Sequence, residues 1–233
     1  MKRYIRERLD CVSSTNDYVK ALRSDKQNRI VTARKQTGGR GTKGRSFSSE
    51  EGGVYLTKLD FYENYPAERA FEIMANAASA VCNTLVFFGL TPQIKWANDV
   101  FVNGRKICGI LVENTFSGKN VASSIVGVGL NIYNELPQEL AEIATSMRAE
   151  TGKTFSVEEV EEKLIEELCR ERSMQDYLGY IGFLGREANL IFASGVQRGT
   201  LVAVDETGGL IVDFNGERTR VTAGEVSLRD ISD

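Results

Sequence analysis

Gln93-Ile94-Lys95-Trp96-Ala97-Asn98-Asp99-Val100-Phe101-Val102-Asn103-Gly104-Arg105-Lys106-Ile107-Cys108-Gly109-Ile110-Leu111-Val112-Glu113 is the stretch from which the fold can be argued. It holds three short β-type runs, over Gln93 to Trp96, Val100 to Val102 and Cys108 to Glu113. Asn103-Gly104 separates two of them, and such pairs accept the positive φ angles of a tight hairpin turn, so antiparallel pairing is expected. A further strand is expected from Ser124 to Leu130. Upstream, a helix starts at Pro66, carries Phe71, Ile73, Met74, Ala77, Ala78, Val81 and Leu85 on one side, and stops at Gly89. Pro at the start and Gly past the end is the asymmetry that helices favour.

Further out, Ile30-Val31-Thr32-Ala33 and Gly53-Val54-Tyr55-Leu56-Thr57 read as strands. Ser13-Ser14-Thr15-Asn16-Asp17 offers N-caps for a short helix over Tyr18 to Leu22. Another helix starts at Ser156 with Glu159 three residues on. Its apolar face is Val157, Val160, Leu164, Ile165 and Leu168, and Glu158, Glu161, Glu162, Glu166 and Glu167 are expected to stay wet rather than hold a metal. After Gly185 the texture changes to short β-runs around Val196, Leu201–Val204, Leu210–Phe214, Thr219–Val221 and Val226–Leu228, with glycine-rich turns between them. The expectation is a mixed-sheet α/β (α+β) domain over residues 1–184 and a small all-β barrel over 185–233.

Composition narrows the chemistry. Of 233 residues none is histidine, which excludes a Ser-His-Asp triad, a histidine base and histidine-bound metal. A net charge of −3 argues against wholesale nucleic-acid binding. No uninterrupted apolar run reaches the ~18 residues of a membrane span. The start Met1-Lys2-Arg3-Tyr4-Ile5-Arg6 lacks the apolar core of a signal peptide, so the cytoplasm is the expected compartment. Cys11, Cys82, Cys108 and Cys169 are scattered beside apolar residues and are expected to be buried free thiols.

Four stretches carry chemistry. Arg34-Lys35-Gln36-Thr37-Gly38-Gly39-Arg40-Gly41-Thr42-Lys43-Gly44-Arg45 combines four glycines and five cations without a carboxylate. Backbone amides can come close to an anion there while Arg and Lys add charge, although the Gly-Lys-Ser/Thr ending of a P-loop is missing. Lys95-Trp96-Ala97-Asn98-Asp99 sets the only tryptophan beside an amide and a carboxylate, hard oxygen donors suited to Mg²⁺ on phosphates. Lys106 opens an apolar strand, and Gly127-Val128-Gly129-Leu130-Asn131 puts glycines where a ligand or backbone can approach closely.

In this order and spacing the motifs resemble the biotin protein ligase family, and the likeness extends from Ser13 through Ala144-Thr145-Ser146 to Ala223-Gly224-Glu225-Val226-Ser227-Leu228-Arg229. The resemblance implies a catalytic α/β domain followed by an SH3-like barrel, and an enzyme that forms biotinyl-5′-AMP from biotin and MgATP before passing biotin to a lysine of a carboxylase carrier domain. By the same resemblance Ser14, Thr15, Asn16, Gln36, Gly39, Gly41 and Gly109 would line the biotin site, joined by Arg40 and Lys106. Arg40, Lys43, Arg45, Trp96, Asn98, Asp99, Gly127, Gly129 and Asn131 would serve ATP. Lys106 and Arg40 would offset charge at the α-phosphate. Asp99 would act either on the acceptor lysine or, with Asn98, on Mg²⁺. Glu225 and Arg229 would reach the nucleotide or the contact between domains. Thr42 replaces the loop's usual second Arg, and Ala97 replaces the usual Pro of the turn. Some family members carry an N-terminal DNA-binding module; Ser14 lies too near the start to leave room for one, so no operator-binding role is expected. Some members dimerise through a sheet edge, and a homodimer is left open. A lipoate or octanoate ligase and a non-catalytic biotin or nucleotide sensor are the rival readings.

Overall fold

In the computed structural model, residues 2–223 and 227–229 are described, the side chains of Lys43, Ser227 and Arg229 excepted. Asn103 and Gly104 both adopt positive φ, 48° and 76°, and join β5 (Asp99–Val102) to β6 (Arg105–Ser117) as an antiparallel hairpin. β7 (Asn120–Asn131) returns beside β6 with Gly109 opposite Gly129 and Leu111 opposite Gly127. Because strand side chains alternate, these three glycines clear one patch on one face of the sheet. β1 (Ile5–Val12), β2 (Arg29–Gln36), β3 (Gly53–Pro66) and β4 (Gln93–Lys95) complete seven strands in the order β1-β2-β3-β7-β6-β5-β4. Only the β1–β2 pair is parallel, so the sheet is mixed as expected.

α2 (Ala70–Phe87) covers one face, with α4 (Val157–Leu168) and α5 (Met174–Tyr180) packed beside it. Ile73, Val81 and Leu85 are buried there, each stabilising by about 1.5–3 kcal/mol. Ala75, Ala77, Ala78 and Ala80 are buried alongside them. By length and composition Ala67–Phe87 would pass for a membrane span, but more than half of it is buried as the core helix of this fold. On the opposite face α1 (Thr15–Ala21) packs Val19 against Val31, Leu59 and Ile125. α1 starts three residues before the expected helix, because Ser14 is its N-cap and accepts a hydrogen bond from the Asp17 amide, an interaction worth about 1 kcal/mol. A short α3 (Met147–Thr151), capped by Ser146, follows the loop after β7.

Three expectations are corrected. Glu161 and Glu167 of α4 are buried, not wet. Glu161 accepts from the Thr32 hydroxyl, and burial pushes its carboxyl up. Burial would also raise Glu167, but Lys163, Arg172 and Arg170 outweigh it and hold that carboxyl low. Cys82 and Cys108 are buried thiols, whereas Cys11 and Cys169 are exposed. β1 and α5 had no counterpart in the sequence reading. In β1 Ile5, Leu9, Cys11 and Val12 break a charged run at irregular spacing, so the alternation is weak.

β8 (Glu187–Phe192), β9 (Gly195–Val204), β10 (Leu210–Phe214), β11 (Glu217–Val221) and β12 (Ser227–Arg229) form a second, wholly antiparallel sheet in the order β11-β10-β9-β8-β12. β8 was missed. The small sheet's inward residues Ala188, Leu190, Leu201, Val204, Leu210, Val212, Val221 and Leu228 join the same apolar cluster as α2 and the large sheet. One core therefore runs under both sheets.

Candidate active site

The cleared glycine patch is the floor of a cleft of about 910 Å³, toward the upper end of the roughly 300–1,000 Å³ usual for small-molecule sites. Gly127 is required to be glycine because a Cβ would collide with the Asn16 amide. At Gly129 a Cβ would strike the Phe47 ring, and at Gly109 it would crowd Lys106 Nζ and Phe47. The glycines thus make room for protein side chains that themselves shape the cleft.

At one end, the start of α1 lies against β2 and β3. Both the backbone N–H and the hydroxyl of Thr15 donate to Gln36 Oε1, at 2.8 and 3.0 Å. Thr57 Oγ1 lies 2.8 Å from Thr15 Oγ1 and 2.6 Å from Asn16 Oδ1. Asn16 Nδ2 donates to Glu113 at 3.1 Å, and Lys20 Nζ donates to the other oxygen of the same carboxylate at 2.5 Å. Gln36 Nε2 donates to Ser49 Oγ at 2.9 Å. Ser14, Thr15 and Asn16 are all buried, and every one of these groups lies on a neighbouring strand or helix end.

The cationic loop closes over this end. It is knitted to the preceding segment by Thr37 N–H to Val12 O and Gly38 N–H to Ser13 O, and to itself by Phe47 N–H to Gly39 O at 2.9 Å. Gly39 has no space for a Cβ against Phe47 O and Ser49 Oγ. Arg40 reaches across to Asp17 in the first turn of α1, 2.8 Å away. Arg45 folds back on Thr42, donating to its carbonyl and hydroxyl. Lys43 has only its backbone described; Gly41 lines the cleft.

At the other end the Lys95–Asp99 turn meets β6. Lys106 Nζ pairs with Asp99 Oδ1 at 2.7 Å, both partly open to the cleft, and lies 5.9 Å from the centre of the Phe47 ring. Asn98 Nδ2 donates to Ile110 O at 2.8 Å while its carbonyl accepts from Ile110 N–H. Trp96 is buried, and its indole N–H donates to Gly208 O in the small sheet at 3.0 Å. Asn131 spends its amide on Thr145 O at 3.0 Å and accepts from Asn134 at 3.1 Å. Behind the floor, burial pushes the Cys108 thiol well above its ordinary range, with Lys106 opposing, which makes it a poor nucleophile. Among the described residues no group of three or more Cys, Asp or Glu converges as a metal cage.

Of the residues singled out from sequence, Ser14, Thr15, Asn16, Gln36, Arg40, Gly41, Arg45, Trp96, Asn98, Asp99, Lys106, Gly109, Gly127, Gly129 and Asn131 all line this single cleft. Gly39 lies behind it as a loop support. Ala223 and Leu228 bring the small sheet to its edge. Glu225 and the Arg229 side chain lie outside the described residues. Sequence reasoning missed Thr57, Glu113, Asp17 and the structural part of Phe47. Glu113 was quoted only as the end of a strand run, and its pairing with Ile125 on β7, two residues from Gly127, is what brings it under Asn16.

An α/β sheet with a glycine floor, a polar pocket at one end and a lysine–aspartate pair at the other can hold a small ligand against a charged pair. The chain belongs to the biotin/lipoate A/B protein ligase family, whose sequence profile matches residues 9–131. Residues 183–229 match a second profile, the biotin protein ligase C-terminal domain. The chain is 30% identical to the biotin–[acetyl-CoA-carboxylase] ligase of Paracoccus denitrificans, over 84% of this chain and 88% of that protein. It is 28% identical to the bifunctional ligase/repressor BirA of Bacillus subtilis, over 94% of this chain and 72% of that one. Among solved structures, the biotin protein ligase of Aquifex aeolicus in complex with biotin and ATP superposes with a TM-score of 0.79 at 29% identity, covering 98% of this chain and 99% of that one.

Proposed function

We propose that this chain is an ATP-dependent biotin protein ligase. In the first step an oxygen of the biotin carboxylate attacks the α-phosphorus of MgATP, pyrophosphate leaves, and biotinyl-5′-AMP forms. In the second, the amine of a carrier-domain lysine attacks the biotinyl carbonyl, the amide forms, and AMP leaves with the proton passing to a base or to water. The observation that carries this reading is the pairing of ends in one cleft: a closed network of amide and hydroxyl groups at α1 and a Lys106–Asp99 ion pair across the glycine floor.

Each residue's proposed work follows from its place. Ser14, Thr15, Asn16 and Gln36, with Gly41 and Gly109, hold the biotin ring, whose ureido group needs both donors and acceptors, and Gly39 supports the loop over it from behind. Arg40 and Lys106 face the region where negative charge gathers during attack on phosphorus. Arg45, Lys43, Trp96, Asn98, Gly127, Gly129 and Asn131 form or support the nucleotide half. Mg²⁺ would enter with the nucleotide substrate, and Asp99 and Asn98 would offer it one carboxylate and one amide oxygen. The loop over residues 37–49 shields the mixed anhydride from water.

An acceptor lysine with an ordinary pKa near 10.4 is neutral in only about one molecule in 2,500 at pH 7. Asp99, the cleft carboxylate paired with Lys106, would serve either that amine, by orienting it once Lys106 turns to the phosphate, or the metal. The division into a catalytic part to residue 184 and an SH3-like part from 185 belongs to the same proposal, with Glu225 and Arg229 as contacts from the latter. A carboxylase carrier domain of the cytoplasm is the proposed macromolecular partner.

ATP–pyrophosphate exchange tests the first step, with biotin, lipoate and octanoate offered separately. Exchange with biotin alone is expected. Exchange with lipoate or octanoate instead would move the chain to the sister specificity of its family. Silence with all three, despite biotin binding, would leave a sensor and overturn the catalytic reading.

A further inference from the structure

The Trp96–Asp99 turn is held by three separate elements, one residue at a time. The indole N–H of Trp96 donates to the Gly208 carbonyl, 112 residues away in the β9–β10 turn. The Ala97 carbonyl accepts from the hydroxyl of Tyr177 in α5 at 3.0 Å, with Tyr177 wholly buried. Asn98 bonds Ile110 on β6. Phe71 completes the contact: its ring is edge-on to Tyr177, centroids 5.5 Å apart, and lies so close over Gly208 that any Cβ there would collide. Gly208 also has φ +83°, a conformation that favours glycine.

The β9–β10 turn is itself organised by one carboxylate. Asp205 Oδ1 accepts from Thr207 N–H, Thr207 Oγ1 and Gly209 N–H at 2.8, 2.7 and 2.9 Å, and Oδ2 pairs with Arg220 Nε at 2.6 Å. Its backbone closes the turn through Asp205 N–H to Gly209 O and Gly208 N–H to Asp205 O. These bonds aim the Gly208 carbonyl at Trp96.

We propose that Asp205 and Tyr177 are positioning residues for the nucleotide half of the site: through Gly208–Trp96 and through Ala97 they set where Asn98 and Asp99 stand, so the small sheet is a working part of MgATP binding. This rests on the nucleotide side of the ligase reading and adds two residues that touch neither substrate. Rigid placement matters because a charged pair such as Lys106–Asp99 acts on a phosphate only when it needs no reorganisation.

The test is a double-mutant cycle on the full chain, reading MgATP and biotin affinity separately by calorimetry. Asp205→Ala and Trp96→Phe are each expected to weaken MgATP about tenfold, the effect of losing one buried hydrogen bond. The double variant should be no weaker than the worse single, and biotin affinity should stay within about twofold throughout. Asp205→Asn, which keeps an acceptor for the Thr207 and Gly209 amides, should recover most of the loss. Multiplying effects, an equal fall in biotin affinity, or no change in MgATP affinity would overturn the proposal. Should Asp205→Ala not fold, Tyr177→Phe against Trp96→Phe decides it: weakened MgATP with intact biotin binding supports positioning, and intact MgATP binding overturns it. If the variants show this MgATP pattern while wild-type protein binds no biotin, the ligase reading alone falls; wild-type protein that binds no MgATP would sink both.

Discussion

The two ends of the cleft are built on different principles. At the α1 end, Thr15, Asn16, Gln36, Thr57 and Glu113 satisfy one another's hydrogen bonds within a patch of the large sheet. At the turn end, Trp96, Ala97 and Asn98 are each secured by an element outside the turn, and one of these lies in the second sheet. The first pocket is preorganised by its own sheet. The second exists only when both sheets and α5 are in place.

Substitutions can break this contrast or sharpen it. The largest effect is expected from Lys106→Met, which removes the positive charge facing the phosphate while keeping most of the side chain's bulk; biotin-dependent exchange should fall about 10²- to 10³-fold. A rate within about threefold of wild type would remove Lys106 from the chemistry. Gly127→Ala comes next. Its Cβ would displace the Asn16 amide and leave buried polar groups unpaired, so biotin affinity should drop about tenfold or more, and MgATP affinity, which Gly127 serves only by clearing the floor, should fall much less. Equal loss of both ligands would show the two ends to be one unit.

The smallest effect is acid-dependent and belongs to the turn end alone. Burial would raise the Asp205 carboxyl, but the Arg220 pair and the bonds from Thr207 and Gly209 outweigh it and hold the group far below the usual carboxylate range. A depressed folded-state value means the stabilisation is fully present above the unfolded value, near 3.9, and is lost as pH falls below it toward the folded value. The melting temperature of wild type should therefore fall more steeply below about pH 4 than that of Asp205→Asn. Parallel curves would mean that Asp205 does not hold the β9–β10 turn.

Much of the site was legible because its motifs are local. Ser14-Thr15-Asn16 could be read as a helix start, Asn103-Gly104 as a hairpin, and Gly38 to Gly44 as a glycine-rich cationic loop, since each depends on neighbours a few residues apart. The partners were not legible. Glu113 meets Asn16 across 97 residues and Thr57 meets it across 41, and no periodicity encodes such distances. The same limit explains α4: five glutamates at helical spacing look alike in sequence, yet Glu161 and Glu167 face Thr32 and Arg172 and are buried.

By itself, then, the sequence determined the inner strands of the large sheet, the helices around α1, α2 and α4, the turn chemistry and the family to which the chain belongs, because propensity, capping and glycine placement act over a few residues. Only the tertiary structure decided that the glycines at 109, 127 and 129 make room for Asn16, Phe47 and Lys106, and that Trp96 answers to Gly208. Those outcomes depend on sheet register and on the packing of two sheets over one core, where contact is set by three-dimensional closeness rather than by separation along the chain.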